Sequence, residues 1–438
     1  MGGLSGLEED QLSAAGTLLR QRSFRLLWSG QVISNFGDAL TSLALLLTAH
    51  RLTGSTAAVA GVAIALALPQ LLIGLPAGVL VDRWNRRRVM IVSDLVRAPL
   101  VLGFLAVASA DTLWLLYALA FVQAAVGTFF NPARAALLPE IVAADRLLPA
   151  NALSETSRVV AGLAGVAAAG ALAGMTGSLG VAFVVDSATF VASAALIARM
   201  PGTSVPAVEA RRGVWAELAD GVRLVLGTRR LLGVIVAATV VMLGLGAVNV
   251  LLVPFVVGVL DASETWFGAL EGAQVASMIL AGGALVAVGT RFRPTTLISA
   301  GLVGIGMVLV AVAASTRPWH LMGLLFAAGW CVTAVQASVT TILQTEVPAR
   351  SRGRAQASFG TMVGAASLTS MALAGAAAEA VGIRLVLVAS GAIAVGAGVA
   401  SAAVFRSVPT RQHERKEKDA CRNEIRRKGA GLRADATQ

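Results

Sequence analysis

The sequence predicts an all-α integral membrane protein in which twelve transmembrane helices form two six-helix bundles. Of its 438 residues, 56% are hydrophobic and only 13% are charged, and the mean hydropathy is +0.78. A soluble chain of this length needs more charge to cover its surface. In addition, Lys and Arg collect in alternate gaps between apolar segments and at both chain ends. This positive-inside pattern predicts that both termini are cytoplasmic.

Twelve apolar segments match the length needed to cross the hydrocarbon layer, which is about 20 residues. In chain order these predicted spans 1 to 12 are Leu26–Leu47, Ala57–Leu80, Val89–Ala110, Leu113–Leu138, Glu155–Met175, Leu179–Ala198, Leu231–Leu260, Trp266–Val288, Leu297–Ala314, His320–Leu343, Ala355–Ala378 and Ile383–Phe405. The first is too long for the apolar core of a cleavable signal peptide, so we expect none.

A polar stretch divides the spans into two sets of six. The predicted domains are a cytoplasmic N-terminus (1–23), a first bundle (24–200), a connector (201–230), a second bundle (231–405) and a basic tail (406–438). Val214–Leu226 in the connector has the apolar spacing of a helix that lies along the inner membrane surface. We expect the tail, with its ten Lys and Arg residues, to be solvated. Docking onto the inner leaflet is the alternative.

The two bundles resemble each other in sequence. Leu137–Leu153 and Ile342–Ser358 each leave one span through a short charged loop and enter the next at an A-x-A pattern, and Leu80–Asn85 and Val288–Arg293 form a second such pair. Equivalent loops face the same side, which predicts a parallel repeat about an axis along the membrane normal. We expect a central cavity between the bundles, and alternating access as one bundle rocks against the other.

Several classes of function are excluded by the sequence. The net charge of +11 is placed in short inner loops and the tail, which favours membrane topology over nucleic-acid binding. No G-x-x-x-x-G-K-[ST] motif occurs, so ATP binding through a P-loop is excluded. The three histidines and two cysteines are scattered and predict neither a metal site nor a disulfide framework. We therefore expect a monomer without a cofactor that is not an enzyme.

Carboxylates inside the spans are the leading functional candidates, because each costs about 2.5–3.5 kcal/mol unless it is paired, protonated or hydrated. Asp38 is ranked first, since Gln31, Asn35, Asp38 and Ser42 form one polar stripe on span 1. Such a stripe must face a cavity or other helices. We expect Asp38 to bind substrate or a proton. A structural hydrogen bond to a neighbouring helix is the alternative.

Further candidates for the substrate or proton site lie on other spans. Glu271, with Gln274 nearby, is ranked above Asp186, and the remaining candidates are Gln123 and Asn131. All of these are polar groups at or near membrane depth.

Two acid–base pairs share a spacing of three residues, which places both partners on one helix face. They are Asp94 with Arg97 on span 3 and Glu155 with Arg158 on span 5. The first interpretation is a local ion pair that neutralises each buried charge. The alternative is an inner gate whose partners change as the bundles move.

The segment from Gly78 to Arg87 reads GVLVDRWNRR. It resembles the G-x-L-A-D-R-x-G-R-K loop of the major facilitator superfamily and lies at the expected place between spans 2 and 3. Asn85 replaces the second Gly, a mild exchange because Asn tolerates a left-handed backbone. The resemblance implies that Asp82 helps to close an inner gate. The predicted gate residues are Gly78, Asp82, Arg83, Arg86, Arg87, Asp94, Arg97, Glu155 and Arg158.

Within the superfamily, the chain resembles the enterobactin-exporter and macrolide-efflux branch from about Phe24 to Phe405. Gly37-Asp38, Asp94 to Arg97, Asn131 to Arg134 and Leu138-Pro139-Glu140 carry this resemblance. The chain departs from proton-coupled drug antiporters in span 4, where they carry Arg four residues before a Gly. Here Gln123 precedes Gly127, so proton coupling is implied by the branch alone.

The resemblance implies a secondary exporter, proton-coupled, that moves a drug, macrolide, siderophore or similar amphipathic molecule across the cell membrane. A sparse set of acids in an apolar interior suits such cargo. The second hypothesis is a lysophospholipid transporter or an importer. The third, from another class, is a membrane sensor that does not transport.

Overall fold

The computed structural model describes residues 18–143, 146–176, 178–201, 239, 242, 246–288, 292–346 and 352–407. The regular structure of these residues is entirely helical. In chain order, helices α1 to α13 are Arg22–Thr53, Thr56–Arg83, Arg86–Gly103, Leu113–Gly127, Phe130–Ile141, Leu147–Thr176, Gly180–Ala198, Gly246–Val259, Trp266–Val288, Pro294–Ala314, Pro318–Glu346, Arg352–Val381 and Ile383–Ser407.

Within the described residues, eleven helical segments are long and apolar enough to cross a membrane. They correspond to every predicted span except the seventh, of which the structure describes the shorter apolar helix Gly246–Val259. Most of the predicted connector and nearly all of the basic tail lie outside the described residues, as does the start of the predicted N-terminal segment. The all-helical membrane fold is therefore confirmed.

The fourth span is broken rather than continuous. Helix α4 ends at Gly127 and α5 begins at Phe130, with two turn residues between them. Pro132 has no N–H to donate to the carbonyl four residues earlier, at Thr128, which accounts for the break at that point. The helix of the fifth span begins earlier than predicted, because α6 starts at Leu147, ahead of the predicted segment Glu155–Met175.

Corresponding helices of the two halves pack in corresponding ways. In the first half α3 packs on α7 and α2 on α4; in the second half α10 packs on α13 and α9 on α11. The halves meet through α2 against α12 and through α9 against α6. We call these two contacts between the halves the seams. The repeat relates one seam to the other, because span 2 corresponds to span 8 and span 5 corresponds to span 11. The packing has the symmetry expected of a parallel repeat.

Glycines allow close approach at both seams. A Cβ at Gly268 of α9 would lie 2.7 Å from the Cβ of Ala167 on α6, and one at Gly375 of α12 would overlap Ala60 of α2. Small residues at such positions let helix backbones approach closely within a membrane.

The two ends of the helical bundle are named by the chain termini. The described chain both begins and finishes at one end, which we call the termini end, and we call the opposite end the distal end.

Candidate functional site

The polar stripe of α1 separates into buried and accessible residues. Gln31 is buried, and its Nε2 has no hydrogen-bond partner in the described part of the chain. Asn35 is half-buried, and 35% of the Asp38 side-chain surface is accessible although the residue lies mid-span. The Ser42 hydroxyl donates to the Asp38 carbonyl at 2.7 Å, a bond within the helix. The stripe thus exposes Asn35 and Asp38 to open space.

Asp38 forms an ion pair with Arg97 of α3, in which Nη2 donates to Oδ1. The predicted local pair of Asp94 with Arg97 is wrong, because both Asp94 oxygens are buried without a hydrogen-bond partner among the described residues. Residues three apart on a helix differ in direction by about 60°. Arg97 therefore reaches α1, whereas Asp94 lies beside Ser193 of α7 without a normal hydrogen bond to it.

The Arg97 guanidinium is held between an aromatic ring and a glycine. Its Cζ lies 4.0 Å from the ring centroid of Phe190 on α7, which permits a cation–π interaction. On α4, a Cβ added at Gly127 would lie 3.4 Å from Cζ and Nε. These neighbours and Asp38 fix the positive charge where α1, α3, α4 and α7 meet.

Asp186 of α7 lies against the same stretch of α1. Its Oδ1 accepts from the Thr189 hydroxyl at 3.1 Å, while its Oδ2 is buried without a partner among the described residues. Thr41 of α1 also lies beside this carboxylate. A Cβ at Gly37 would overlap both Asp186 Oδ1 and Thr189 Oγ1, so the absence of a side chain there lets α1 approach α7.

Three carboxylates therefore lie around one guanidinium, and we call Asp38, Asp94, Asp186 and Arg97 the acidic cluster. Asp94 and Asp186 are both 0% exposed, and each interacts electrostatically with Asp38 and Arg97. A single guanidinium cannot compensate three ionised carboxylates. An uncompensated carboxylate at this depth costs about 2.5–3.5 kcal/mol, which a bound proton or cationic group removes.

The other residues predicted to bind substrate or a proton, which are Gln123, Asn131 and Glu271, do not belong to the acidic cluster. Gln123 is buried on α4, and its Oε1 has no partner in the described residues. Asn131 is exposed on α5. Glu271 lies on α9 in the second half, partly buried, and makes no hydrogen bond or ion pair within the described part of the chain.

The predicted inner-gate residues at the termini end connect helices within the first half. Arg86 of α3 bonds Glu140 and donates to the Ala136 carbonyl at 3.3 Å, both on α5. Arg87 donates to the carbonyls of Ile197, at 3.0 Å, and Ala198. A cation at the last carbonyls of α7 is favourable. The side chains of Asp82 and Arg83, and the surroundings of Gly78, lie outside what the structure describes.

The predicted ion pair of Glu155 with Arg158 is present, but its charges are exposed and not buried as the prediction had them. The guanidinium binds both carboxylate oxygens, with Nε donating to Oε2 at 3.0 Å, and both side chains are more than half exposed, at 58% and 54%. Arg134 lies close enough to interact electrostatically with this pair. The sequence predicted no role for Arg134 beyond its place in the motif Asn131 to Arg134.

Polar contacts between the two halves gather at the distal end. Arg51 forms an ion pair with Glu264, and Ser55 donates to Glu379. Sequence reasoning missed Glu264 and Glu379 because each reads as an ordinary loop or helix-end charge. It also missed Phe190 and Ser193, which have no signal in the sequence until α7 is known to face α3.

The fold and its paired bundles define a membrane transporter of the major facilitator superfamily. The chain matches the family described as transmembrane secretion effector over residues 13–426 and belongs to it. It is therefore a multi-pass membrane protein that carries a small-molecule substrate and is not an enzyme.

Individual relatives agree with this assignment. The chain is 25% identical to the uncharacterised transporter YfiS of Bacillus subtilis (strain 168) over 86% of its own length and 92% of that protein. It is 29% identical to macrolide efflux protein A of Streptococcus pyogenes, over 28% of this chain and 31% of that one. Among solved structures, the nucleoside transporter NupG shares the fold, with a TM-score of 0.71, 13% identity and coverage of 87% and 100%. The resemblance to the macrolide-efflux branch is confirmed.

Proposed function

We propose that this protein is a proton-coupled secondary exporter of an amphipathic, preferably cationic, small molecule, working by alternating access. The acidic cluster is the observation that carries the proposal. It holds more carboxylates than cations inside a transporter bundle, and such a cluster takes up a proton or a positively charged group. The similarity to a macrolide efflux protein supports export over import.

Asp38 is the exchange point of the proposed cycle. It is the accessible carboxylate of the acidic cluster, with 35% of its side chain exposed, whereas Asp94 and Asp186 are fully buried. A proton or cargo cation arriving from the open space meets Asp38 first. Its binding weakens the bond to Arg97, which leaves the guanidinium near Asp94 and Asp186.

Arg97 supplies the positive charge that proton-coupled drug antiporters carry on span 4. The guanidinium lies against Gly127 of α4, four residues after Gln123. Thus the charge occupies the neighbourhood of the expected arginine although it comes from α3. This supports proton coupling in a chain whose span 4 lacks the residue.

The positive-inside pattern supports an orientation with the termini end in the cytoplasm and the distal end outside the cell. The protein then lies in the cell membrane as a monomer. Cargo enters the cavity from the cytoplasm or inner leaflet and leaves at the distal end, while protons move inward.

Export is tested in cells that carry the protein, with ethidium as a lipophilic cation and erythromycin as a macrolide. We expect energised cells to expel at least one probe and a protonophore to abolish expulsion. Asp38→Asn should stop efflux while the protein still inserts, whereas the exposed control Asp111→Asn should transport like the parent. Equal efflux by Asp38→Asn and the parent would remove Asp38 from the mechanism.

A further inference from the structure

The distal end carries an ion pair that joins three helical regions. Arg51, near the end of α1, donates from Nε to Glu264 Oε1 at 2.9 Å and from Nη2 to Oε2 at 2.5 Å. The same Nη2 donates to the Ala173 carbonyl of α6 at 3.0 Å. Glu264 belongs to the second half, in the loop before α9. The Arg51 guanidinium therefore connects α1 both to α6 and to the loop that precedes α9.

The turn that presents Glu264 is built by the end of α8. After Pro254, Phe255–Val259 winds as a π-helix, and Asp261 then adopts a positive φ of 49°. The loop turns back so that the Glu264 carbonyl would lie 2.6 Å from a Cβ at Gly170 of α6. The backbone contact leaves no space for a side chain at Gly170, which accounts for a glycine there.

The other seam is closed by a carboxylate at a helix N-terminus. Glu379 of α12 accepts from the Ser55 hydroxyl and, at 3.2 Å, from the Ala57 N–H. Ser55 is itself the N-cap of α2 and accepts from the Ala58 N–H at 3.2 Å. A carboxylate at the first turn of a helix is favourable. Here the second half supplies it to a helix of the first.

The two contacts are related by the repeat. Glu379 at the end of span 11 meets the start of span 2, and the Ala173 region at the end of span 5 meets the start of span 8. Both bridge the seams that separate when a central cavity opens at the distal end. The chemistry differs, with an ion pair at one seam and a helix cap at the other.

We propose that Arg51–Glu264 and Glu379–Ser55 are the two latches of the outer gate. This assignment rests on the alternating access of the proposed function. Side-chain exposures of 32% for Arg51 and 12% for Glu264 place the pair partly in water. A pair in that setting contributes modestly, so it is able to form and break during each cycle. Loss of either latch shifts the protein toward the outward-open state.

The test measures accessibility from outside and needs no cargo. Asn35→Cys, in a background with Cys331→Ser and Cys421→Ser, is labelled with a membrane-impermeant maleimide in right-side-out vesicles. Arg51→Ala, Glu264→Gln and Glu379→Ala should each raise the labelling rate by roughly fivefold, the upper range for a partly exposed ion pair and a typical value for a helix cap. The exchange Arg51→Glu with Glu264→Arg should return the rate toward the parent, and Arg317→Ala, also at the distal end, should leave it unchanged.

A cross-link provides the second measurement. A Cβ at Gly174 would lie 2.5 Å from Thr265 Cγ2, so Gly174→Cys with Thr265→Cys places two thiols in disulfide range. Oxidation should abolish external labelling of Asn35→Cys, and reduction should restore it. Unchanged labelling in all three single variants, or continued labelling after complete cross-linking, would overturn the gate. Failure of the proposed export alone, with these labelling changes intact, would leave the latches standing.

Discussion

Arg97 on α3 forms its ion pair with Asp38 on α1, 59 residues earlier in the chain, and not with Asp94 on its own helix. The bond connects the accessible carboxylate of the acidic cluster to its only guanidinium. Any proton or cargo cation that binds Asp38 competes with Arg97. The pair is thus the point at which binding is converted into a rearrangement of the bundle.

Removing the Arg97 guanidinium should destabilise the protein more than removing the charge of any one carboxylate in the acidic cluster. Arg97→Gln leaves three carboxylates without a cation, and breaking a buried pair in this way costs about 3–5 kcal/mol. We expect a lower melting temperature of the purified protein and no gradient-driven efflux. Arg97→Lys should recover part of both, because it retains the charge. A melting temperature equal to that of the parent in Arg97→Gln would contradict the pairing.

The fully buried carboxylate of Asp94 should respond in the opposite direction to Arg97. Asp94→Asn removes an uncompensated charge, so it should leave stability unchanged or raise it, by at most about 3.5 kcal/mol. Asp38→Asn should lower stability instead, because it breaks the ion pair. Thermal unfolding of the two variants, measured side by side in one detergent, checks the contrast. Equal destabilisation by both would mean that Asp94 has a cationic partner.

The position of the positive charge is testable by moving it. In the double variant Arg97→Gln with Gln123→Arg, the guanidinium originates from α4, as in proton-coupled drug antiporters. We expect this variant to regain part of the efflux lost in Arg97→Gln, whereas Gln123→Arg alone should transport poorly because it adds a second cation. No recovery in the double variant would show that Arg97 acts by more than its charge.

The close approach of α1 and α7 depends on Gly37. Ala at this position would overlap Asp186 and Thr189, and such overpacking costs about 1–3 kcal/mol. We expect Gly37→Ala to lower both the melting temperature and efflux. Gly162→Ala is the matched control, since no heavy atom lies within 4 Å of a Cβ there. Similar losses in the two variants would refute the packing argument.

The exposed pair at the termini end should contribute little to stability. Glu155 and Arg158 are more than half exposed, and pairs of this kind contribute about 0–1 kcal/mol. Glu155→Gln should therefore change the melting temperature only slightly. If it nevertheless abolished efflux, the pair would have a role in gating rather than in stability.

The fold could be predicted from the sequence because it depends on segment length and charge placement. Apolar runs located the spans, and eleven of the twelve are found as long apolar helices among the described residues. The Glu155–Arg158 pair was also predicted, because residues three apart lie on one face of a helix, but its exposure was not.

The pairing inside the site could not be predicted in the same way. Spans in a membrane are apolar on most faces, so their periodicity does not fix the rotation of α3 about its axis. That rotation decides which neighbouring helix Arg97 faces, and only when Arg97 faces α1 does it reach Asp38. The contacts of Glu264 and Glu379 depend on how the two halves meet, which no local pattern in the sequence encodes.

The central claim is that proton exchange at Asp38 drives transport, and purified protein in liposomes tests it most directly. With ethidium as the probe, the parent should accumulate cargo against its gradient when a pH difference is imposed, and only exchange it when none is present. Asp38→Asn should exchange ethidium but fail to accumulate it under the same pH difference. Accumulation by Asp38→Asn equal to that of the parent would contradict the account.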